Sequence, residues 1–213
     1  MTLPNTPLHA ICDADACERA GWRLVDFASA CLCGGARILQ IRAKAASGRW
    51  FLETTLMVGE RARQAGAIVL VNDRSDIARL AAADGVHVGQ DDLAPKDVRL
   101  VVGPAAIVGL STHTIDQVDA AVMEPVSYVA IGPVYGTATK ATGYEAVGLE
   151  RVRAAAERAA ARSLPLVAIG GITLEHAADV LEAGANSVAV IGDLLKTGDP
   201  EARVRAYLDR LAS

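Results

Sequence analysis

Aromatic residues and basic charge are both scarce in this chain. Aromatic residues make up 4% of the 213 residues, and the formal net charge is −4. A nucleic-acid-binding surface needs a basic patch, and the sequence contains neither a basic run nor an aromatic-rich strand. We therefore expect no nucleic-acid partner, and any affinity for phosphate must be local.

Long apolar runs are missing as well, and cysteine is confined to one region. No stretch approaches the roughly 18 apolar residues that would span a membrane, and residues 1–7 lack a basic region followed by an apolar stretch. The cysteines form no C-x-x-C pair and have no matching histidine cluster. We expect a soluble cytoplasmic protein with buried or free thiols, no membrane partner and no zinc site. The cysteines are Cys12, Cys17, Cys31 and Cys33.

Apolar residues are abundant, at 52% of the chain. They recur in eight short runs rich in Val, Ile and Leu, separated by Ala-rich stretches of helical periodicity such as 51–65, 149–162, 174–183 and 200–211. Near-continuous apolar strands are typical of a parallel sheet buried on both faces. The pattern predicts one α/β domain over 1–213, a single (β/α)8 TIM barrel, with a doubly wound open sheet as the alternative. The predicted strands cover residues 8–12, 37–42, 67–72, 85–89, 106–110, 128–131, 166–169 and 187–191.

Carboxylates follow the third and fourth predicted strands, in Val69-Leu-Val-Asn-Asp-Arg-Ser75 and Gly85-Val-His-Val-Gly-Gln-Asp-Asp92. Neighbouring parallel strands lie about 4.8 Å apart, so Asp73 and Asp92 are expected side by side at the barrel mouth. Such a pair, with Asn72 beside it, suits a Mg²⁺ ion that also binds a substrate phosphate. Solvated loop acids are the alternative, and spacing alone does not separate Asp92 from Asp91.

Cationic and hydroxyl side chains follow the second and fifth strands. Alternation along Gln40-Ile-Arg-Ala-Lys44 places Gln40, Arg42 and Lys44 on one face, and Arg and Lys both bind phosphate. A fraying strand end is the alternative interpretation. The fifth strand ends at Gly109-Leu-Ser-Thr-His113, where Ser111 reaches the mouth and His113 is expected to be structural.

A second anion site is expected around the sixth, seventh and eighth strands. The loop 132–143 is long for such a barrel and offers the hydroxyls of Thr137 and Thr139, whereas its Lys140 belongs with the cationic residues of the first site. A mobile linker would explain the loop too. Glycines at Gly170-Gly171 and at Ile191-Gly192 let backbone N–H groups approach a phosphate, the usual use of these loops.

These patterns imply two separate anion sites. One is cationic and metal-binding and suits a diphosphate, whereas the other is neutral and glycine-lined and suits a monophosphate. A diphosphate held by cations is a leaving group, so the pair predicts transfer of a group from a diphosphate ester to a phosphate-bearing acceptor.

These motifs, with Thr137-Ala-Thr-Lys140 and Ala168-Ile-Gly-Gly-Ile-Thr173, resemble the thiamine phosphate synthase family from residue 8 to residue 211. The resemblance implies an enzyme that joins hydroxymethylpyrimidine diphosphate to a thiazole phosphate with Mg²⁺, giving thiamine phosphate and pyrophosphate. It assigns Gln40 to the aminopyrimidine and Asp73 and Asp92 to Mg²⁺. The diphosphate would contact Arg42, Lys44, Asn72, Ser111 and Lys140, with Arg42, Ser111 and Lys140 assisting catalysis. The thiazole phosphate would contact Thr137, Thr139 and Gly171, and Ile191 and Gly192 after the eighth strand would also bind substrate.

Two positions depart from the family pattern, and two rival functions remain. Gly136 stands where the family often has Pro, and Gly192 where it often has Ser. A thiazole tautomerase, the related isomerase, would use a histidine where this chain has Pro133. A non-catalytic thiazole or thiamine phosphate-binding protein would have no reason to keep a Mg²⁺ pair. Self-association into a homo-oligomer is left open.

Overall fold

The described part of the chain forms a closed barrel of parallel strands, as a computed structural model shows for residues 3–136 and 146–212. Each strand pairs with its sequence neighbours, and β1 also pairs with β8 to close the barrel. The strands are β1 (Leu8–Asp13), β2 (Ile38–Arg42), β3 (Ile68–Asn72), β4 (Gly85–Val88), β5 (Ile107–Thr112), β6 (Tyr128–Ile131), β7 (Leu166–Ile169) and β8 (Ser187–Val190).

Helices connect the strands and cover the outside of the barrel. A short 3₁₀ helix, Gly192–Leu194, follows β8. The helices are α1 (Ala14–Arg19), α2 (Leu24–Cys33), α3 (Gly48–Gln64), α4 (Ser75–Leu80), α5 (Pro95–Val102), α6 (Ile115–Ala121), α7 (Gly148–Ala160), α8 (Ala177–Glu182) and α9 (Pro200–Leu211).

The hydrophobic core has two layers because each strand is buried on both faces. The outer layer lies between strands and helices and contains the fully buried Phe27 and Phe51. The inner layer fills the barrel with side chains such as Ile38, Leu70 and Ile107. Burial on both faces explains why the strands are apolar runs and not alternating patterns.

The predicted barrel is confirmed, and the open sheet is excluded because β1 and β8 are hydrogen-bonded neighbours. Some helix boundaries were wrong. The helix predicted over 174–183 begins at Ala177, since the backbone N–H groups of Leu174 and His176 bond to Asp193 and Thr173. A single domain over 1–213 stays a prediction.

The structure bears on two expectations from composition, the state of the cysteines and the presence of membrane-spanning helices. Cys12, Cys17 and Cys31 are buried and Cys33 is exposed, and all four are free thiols. Across residues 3–136 and 146–212, no helix is long and apolar enough to cross a membrane.

Candidate active site at the carboxyl ends of the strands

Three cavities adjoin one another at the barrel mouth, and Ser111 lines all three. The core pocket lies inside the barrel and is bordered by Gln40, Arg42 and Tyr128. The glycine cavity, of about 460 Å³, is bordered by Gly132, Gly136, Gly170, Gly171, Ile191, Gly192 and Lys196 among others. The carboxylate cavity, of about 180 Å³, is lined by Lys44, Asn72, Asp73, His87, Gly89, Gln90, Asp91, Asp92, Ser111 and His113.

The structure brings Asp73 and Asp92 into the same cavity, as the strand ends predicted. Asp73 directly follows β3 and has a left-handed backbone, with φ 61°. Its carboxylate pairs with the Lys44 ammonium, while the Asp92 carboxylate accepts a hydrogen bond of 2.8 Å from the Gly89 N–H. Burial raises the pKa of Asp73 and the neighbouring Asp92 raises it further, whereas Lys44 opposes the shift.

The donor set of the carboxylate cavity fits Mg²⁺. Within the described ranges, no three His, Cys, Asp or Glu residues are grouped to enclose an ion. Mg²⁺ commonly uses one or two protein carboxylates and completes its shell with water and phosphate oxygens. Two carboxylates that repel each other also gain from a shared cation, which matches the raised pKa of Asp73.

Arg42 is held by a partner that the sequence did not reveal. The Asp13 carboxylate is buried, and its Oδ2 accepts a hydrogen bond from Arg42 Nη1. Its Oδ1 caps α1 by accepting a hydrogen bond of 2.8 Å from the Ala16 N–H. Arg42 Nε is buried and has no partner among the residues that the structure describes. A polar residue between a strand and a helix does signal a cap, but nothing in the sequence signals its pairing with Arg42.

The predicted shared face of Gln40, Arg42 and Lys44 is wrong for Lys44. Strand β2 ends at Arg42, so the alternation stops two residues before Lys44. Gln40 and Arg42 border the core pocket, whereas Lys44 turns to Asp73 in the carboxylate cavity.

Ser111 belongs to a hydrogen-bonded set, buried at His87 and Tyr128, that sequence reasoning missed. His87 Nε2 lies 2.8 Å from Ser111 Oγ, and His87 Nδ1 lies 2.8 Å from the Tyr128 hydroxyl. The apolar run around His87 was recognised only as a strand. Its register opposite β5 could not be derived from the sequence alone.

His113 has a structural bond, although it also borders two cavities. Its Nδ1 donates to the Gly132 carbonyl at 2.5 Å, and its backbone N–H donates to the Gln117 side chain at 2.7 Å. These bonds tie the end of β5 to the end of β6.

The glycine cavity contains charged residues, so its expected neutrality is wrong. Lys196 and Asp193 both line it, one turn apart after β8. Gly171 also has a packing role, because a Cβ there would lie 2.6 Å from the Gly136 carbonyl oxygen and its φ is +66°. The glycine is therefore required by the neighbouring loop, whether or not a phosphate binds its N–H.

Sequence similarity to known proteins identifies the family of this chain. A family model described as thiamine monophosphate synthase matches residues 8–194. The chain belongs to this family. It is 45% identical to the thiamine-phosphate synthase of Koribacter versatilis over 100% of this chain and 98% of that protein. It is 39% identical to that of Chlorobium luteolum, covering 98% and 94%.

A solved member of the family has the same fold. The thiamine phosphate pyrophosphorylase from Pyrococcus furiosus superposes with a TM-score of 0.86 at 27% identity, covering 98% of this chain and 96% of that one. The similarity spans the whole barrel and so includes every strand end discussed above.

Three residues assigned through the family motifs lie outside the described residues: Thr137, Thr139 and Lys140. Their assignment to the two phosphate sites stays a prediction. The described part of the loop ends at Gly136, which borders the glycine cavity.

Proposed function

We propose that this protein joins hydroxymethylpyrimidine diphosphate to a thiazole phosphate, releasing pyrophosphate and giving thiamine phosphate. One observation supports the proposal most: Ser111 stands where the core pocket, the carboxylate cavity and the glycine cavity meet. A two-substrate transfer needs a donor group, its leaving group and an acceptor around one point. The names of the relatives support the same reaction.

The pyrimidine edge is assigned to Gln40 at the barrel mouth, because the core pocket itself, at about 20 Å³, is too small for the ring. The diphosphate is assigned to the carboxylate cavity. Gln40 borders the core pocket and carries the amide donors and acceptor that an aminopyrimidine edge needs. Lys44, Asn72 and Ser111 line the carboxylate cavity and offer an ammonium, an amide and a hydroxyl to the diphosphate. Arg42 retains its buried Nε as a donor beside its bond to Asp13.

Mg²⁺ is proposed at Asp73 and Asp92. When bound, it would neutralise charge on the diphosphate and so make it a better leaving group. The Lys44 ammonium already pairs with the Asp73 carboxylate, and it would also offset part of the negative charge of the bound diphosphate. The cavity therefore combines cations and carboxylates without concentrating net charge of one sign.

The acceptor is assigned to the glycine cavity. Backbone N–H groups at Gly171 and Gly192 can approach its phosphate, while the apolar Ile191 can pack against its ring. In the reaction, the bond between the pyrimidine methylene carbon and the diphosphate oxygen breaks, and the thiazole nitrogen bonds to that carbon. The electron pair of the broken bond leaves with pyrophosphate, where the surrounding donors stabilise it.

The substrates are small molecules. A cytoplasmic location, the absence of a nucleic-acid partner, and any homo-oligomer remain proposals. The net charge of −4 supports the second of these.

Two rivals give different results in one assay. Isomerase activity is measured separately because His113 is bonded to Gly132 at the end of β6 and borders the glycine cavity. An isomerase would convert a thiazole substrate without Mg²⁺ or the pyrimidine. A thiazole or thiamine phosphate-binding protein would bind its ligand and release nothing.

The test incubates the protein with the pyrimidine diphosphate, the thiazole phosphate, or both, with Mg²⁺ or with EDTA. We expect pyrophosphate only when both substrates and Mg²⁺ are present, together with thiamine phosphate in equal amount. Thiazole isomerisation in EDTA, with no pyrophosphate from the complete mixture, would overturn the proposal.

A further inference from the structure

The hydroxyl of Ser111 is the partly buried end of a hydrogen-bonded chain that runs through the buried His87 to the buried Tyr128. Both links are 2.8 Å long, from Ser111 Oγ to His87 Nε2 and from His87 Nδ1 to the Tyr128 hydroxyl. The rings of His87 and Tyr128 are stacked, with centroids 5.5 Å apart and planes inclined by 22°. Neither residue was assigned a role above.

The barrel register explains how residues from three different strands meet. His87 on β4 is in register with Gly109 on β5, which is in register with Tyr128 on β6. A Cβ at Gly109 would lie 2.1 Å from Cζ of Tyr128. Only glycine lets the tyrosine ring lie across β5 and reach the histidine beyond it.

The direction of the hydrogen bonds follows from Tyr128. Complete burial raises the pKa of its phenol, so the hydroxyl keeps its hydrogen and can donate it. Among residues 3–136 and 146–212, its hydrogen-bond partner is His87 Nδ1 alone. Donation from Tyr128 to Nδ1 satisfies this buried hydroxyl, and it requires that His87 carry its own hydrogen on Nε2.

This tautomer determines what Ser111 can do. In this tautomer the Nε2–H of His87 donates to Ser111 Oγ, so the serine cannot give its own hydrogen back to His87. Within the described residues, no other acceptor is bonded to Ser111 Oγ, and the residue borders the carboxylate cavity. Its O–H is thereby able to donate to a group that occupies that cavity.

We propose that His87 and Tyr128 are positioning residues that fix the Ser111 hydroxyl as a hydrogen-bond donor to the departing diphosphate. This rests on the proposed function. Hydrogen bonds in a chain polarise one another, so each donor upstream strengthens the donation by Ser111 as negative charge grows on the leaving group. A donor that is already oriented needs no reorganisation during the reaction.

A double-mutant cycle tests the coupling. Ser111→Ala should lower kcat by roughly 10²-fold, the scale for one preorganised donor. Tyr128→Phe, which keeps the ring over Gly109, should lower kcat by roughly tenfold in the wild type, as one lost hydrogen bond allows. In the Ser111→Ala background the same change should have an effect below about twofold, because its target is gone.

Tyr207→Phe is the matched control. It also removes a buried phenolic hydroxyl, which bonds to Asp193 and not to His87. Any effect it has on kcat should be equal in the two backgrounds. Equal effects of Tyr128→Phe in both backgrounds would overturn the proposal, because Tyr128 would then act independently of Ser111.

The proton assignment has its own readout. Nitrogen NMR of His87 should show the Nε2–H tautomer in the wild type and a mixture in Tyr128→Phe. An Nδ1–H tautomer in the wild type would overturn the proposal even if the kinetics agreed. If the wild type released no pyrophosphate, the proposed function would fail, while the NMR result would still decide the hydrogen-bond direction.

Discussion

The two carboxylates of the proposed Mg²⁺ site are held in different ways. Asp73 pairs with a cation and sits in a left-handed backbone conformation, whereas Asp92 is bonded to the backbone N–H of Gly89. Asp92 is therefore fixed by its own strand end, and Asp73 by its charge partner. Loss of either removes one anionic oxygen donor, but only loss of Asp73 also releases Lys44.

Asp73→Asn and Asp92→Asn should each reduce kcat by roughly 10²-fold or more and raise the Mg²⁺ concentration needed for half-maximal rate. An amide is a neutral and weaker ligand for a hard cation, and both side chains keep their size. Pyrophosphate release against Mg²⁺ concentration measures the effect. Asp91→Asn is the control, because Asp91 is exposed and lines the same cavity. Equal losses in all three variants would contradict the assignment.

The raised pKa of Asp73 gives a second prediction, for the metal-free protein. The Asp73 carboxyl should titrate above the usual value for aspartate, since burial and Asp92 both favour its protonated form. Asp92→Asn should lower this pKa by removing a like charge, and Lys44→Met should raise it by removing the cation. Carboxyl carbon NMR across a pH series measures all three proteins. A shift in the opposite direction in either variant would show that the two carboxylates do not interact as described.

Residues with a local signal could be predicted, and residues defined by a distant partner could not. Asp73 was found because it directly follows an apolar strand, whereas Asp92, four residues beyond the end of β4, was separated from Asp91 only through the family resemblance. Asp13 was missed as the partner of Arg42, which lies 29 positions away along the chain. The sequence carries the chemistry of a side chain but not the register that selects its neighbour.

Among the structural elements, Asp193 connects the segment after β8 with the loop after β7 and with α9. Its Oδ2 accepts from the Tyr207 hydroxyl at 2.6 Å and from Arg203 Nη2 at 2.7 Å, both on α9. The same oxygen accepts from the Leu174 N–H at 3.2 Å, in the loop after β7. One buried carboxylate thus holds α9 against both loops that border the glycine cavity.

Asp193→Ala should destabilise the protein by about 3–5 kcal/mol, because the nearly buried Arg203 would lose its close charge partner and keep only the 3.8 Å contact to the exposed Glu175. The Arg203 side chain is 12% exposed and Asp193 is 5% exposed. Urea unfolding measures the change. Glu201→Ala removes an exposed partner of Arg205 on the same helix and should cost about 0.5 kcal/mol or less. Similar costs for the two variants would show that the buried network is not what holds α9.

The same network explains which element boundaries the sequence could not indicate. Periodicity correctly located α9, whose bounds agree with the prediction over 200–211. The start of α8 was missed because Leu174 is bonded to Asp193, a partner 19 positions away along the chain. Helix interiors follow from local pattern, whereas their ends depend on tertiary bonds.

At the scale of the whole molecule, the fold was predictable because apolar runs and helical stretches alternate throughout the chain. The polar side chains inside the barrel could not be predicted in this way. Such residues look like isolated polar interruptions of a strand, and His9 in β1 is one of them. Its imidazole is 1% exposed, and Nε2 has no hydrogen-bond partner in the described ranges.

The burial of His9 makes the stability of the barrel depend on pH. Burial lowers its pKa to about 3, whereas in the unfolded chain a histidine titrates near 6.5. Between these values the unfolded chain binds a proton that the folded chain excludes, so stability rises with pH across this window and falls on acidification. The contribution is up to about 1.4 kcal/mol per pH unit. It is complete above the unfolded pKa.

His9→Gln should therefore have a shallower loss of stability between pH 6.5 and pH 4 than the wild type, whatever its stability at neutral pH. The comparison of slopes separates the proton effect from any packing defect that the substitution introduces. Urea unfolding at four or more pH values measures the slopes, and His176→Gln, which removes a half-exposed imidazole on the surface, supplies the reference. If His9→Gln kept the full wild-type slope, His9 would have to be protonated inside the barrel, with a buried counter-charge to receive it. In the described residues the pocket that His9 borders is lined by polar side chains such as Gln40 and Asn72 but by no carboxylate, so we expect the slope to fall.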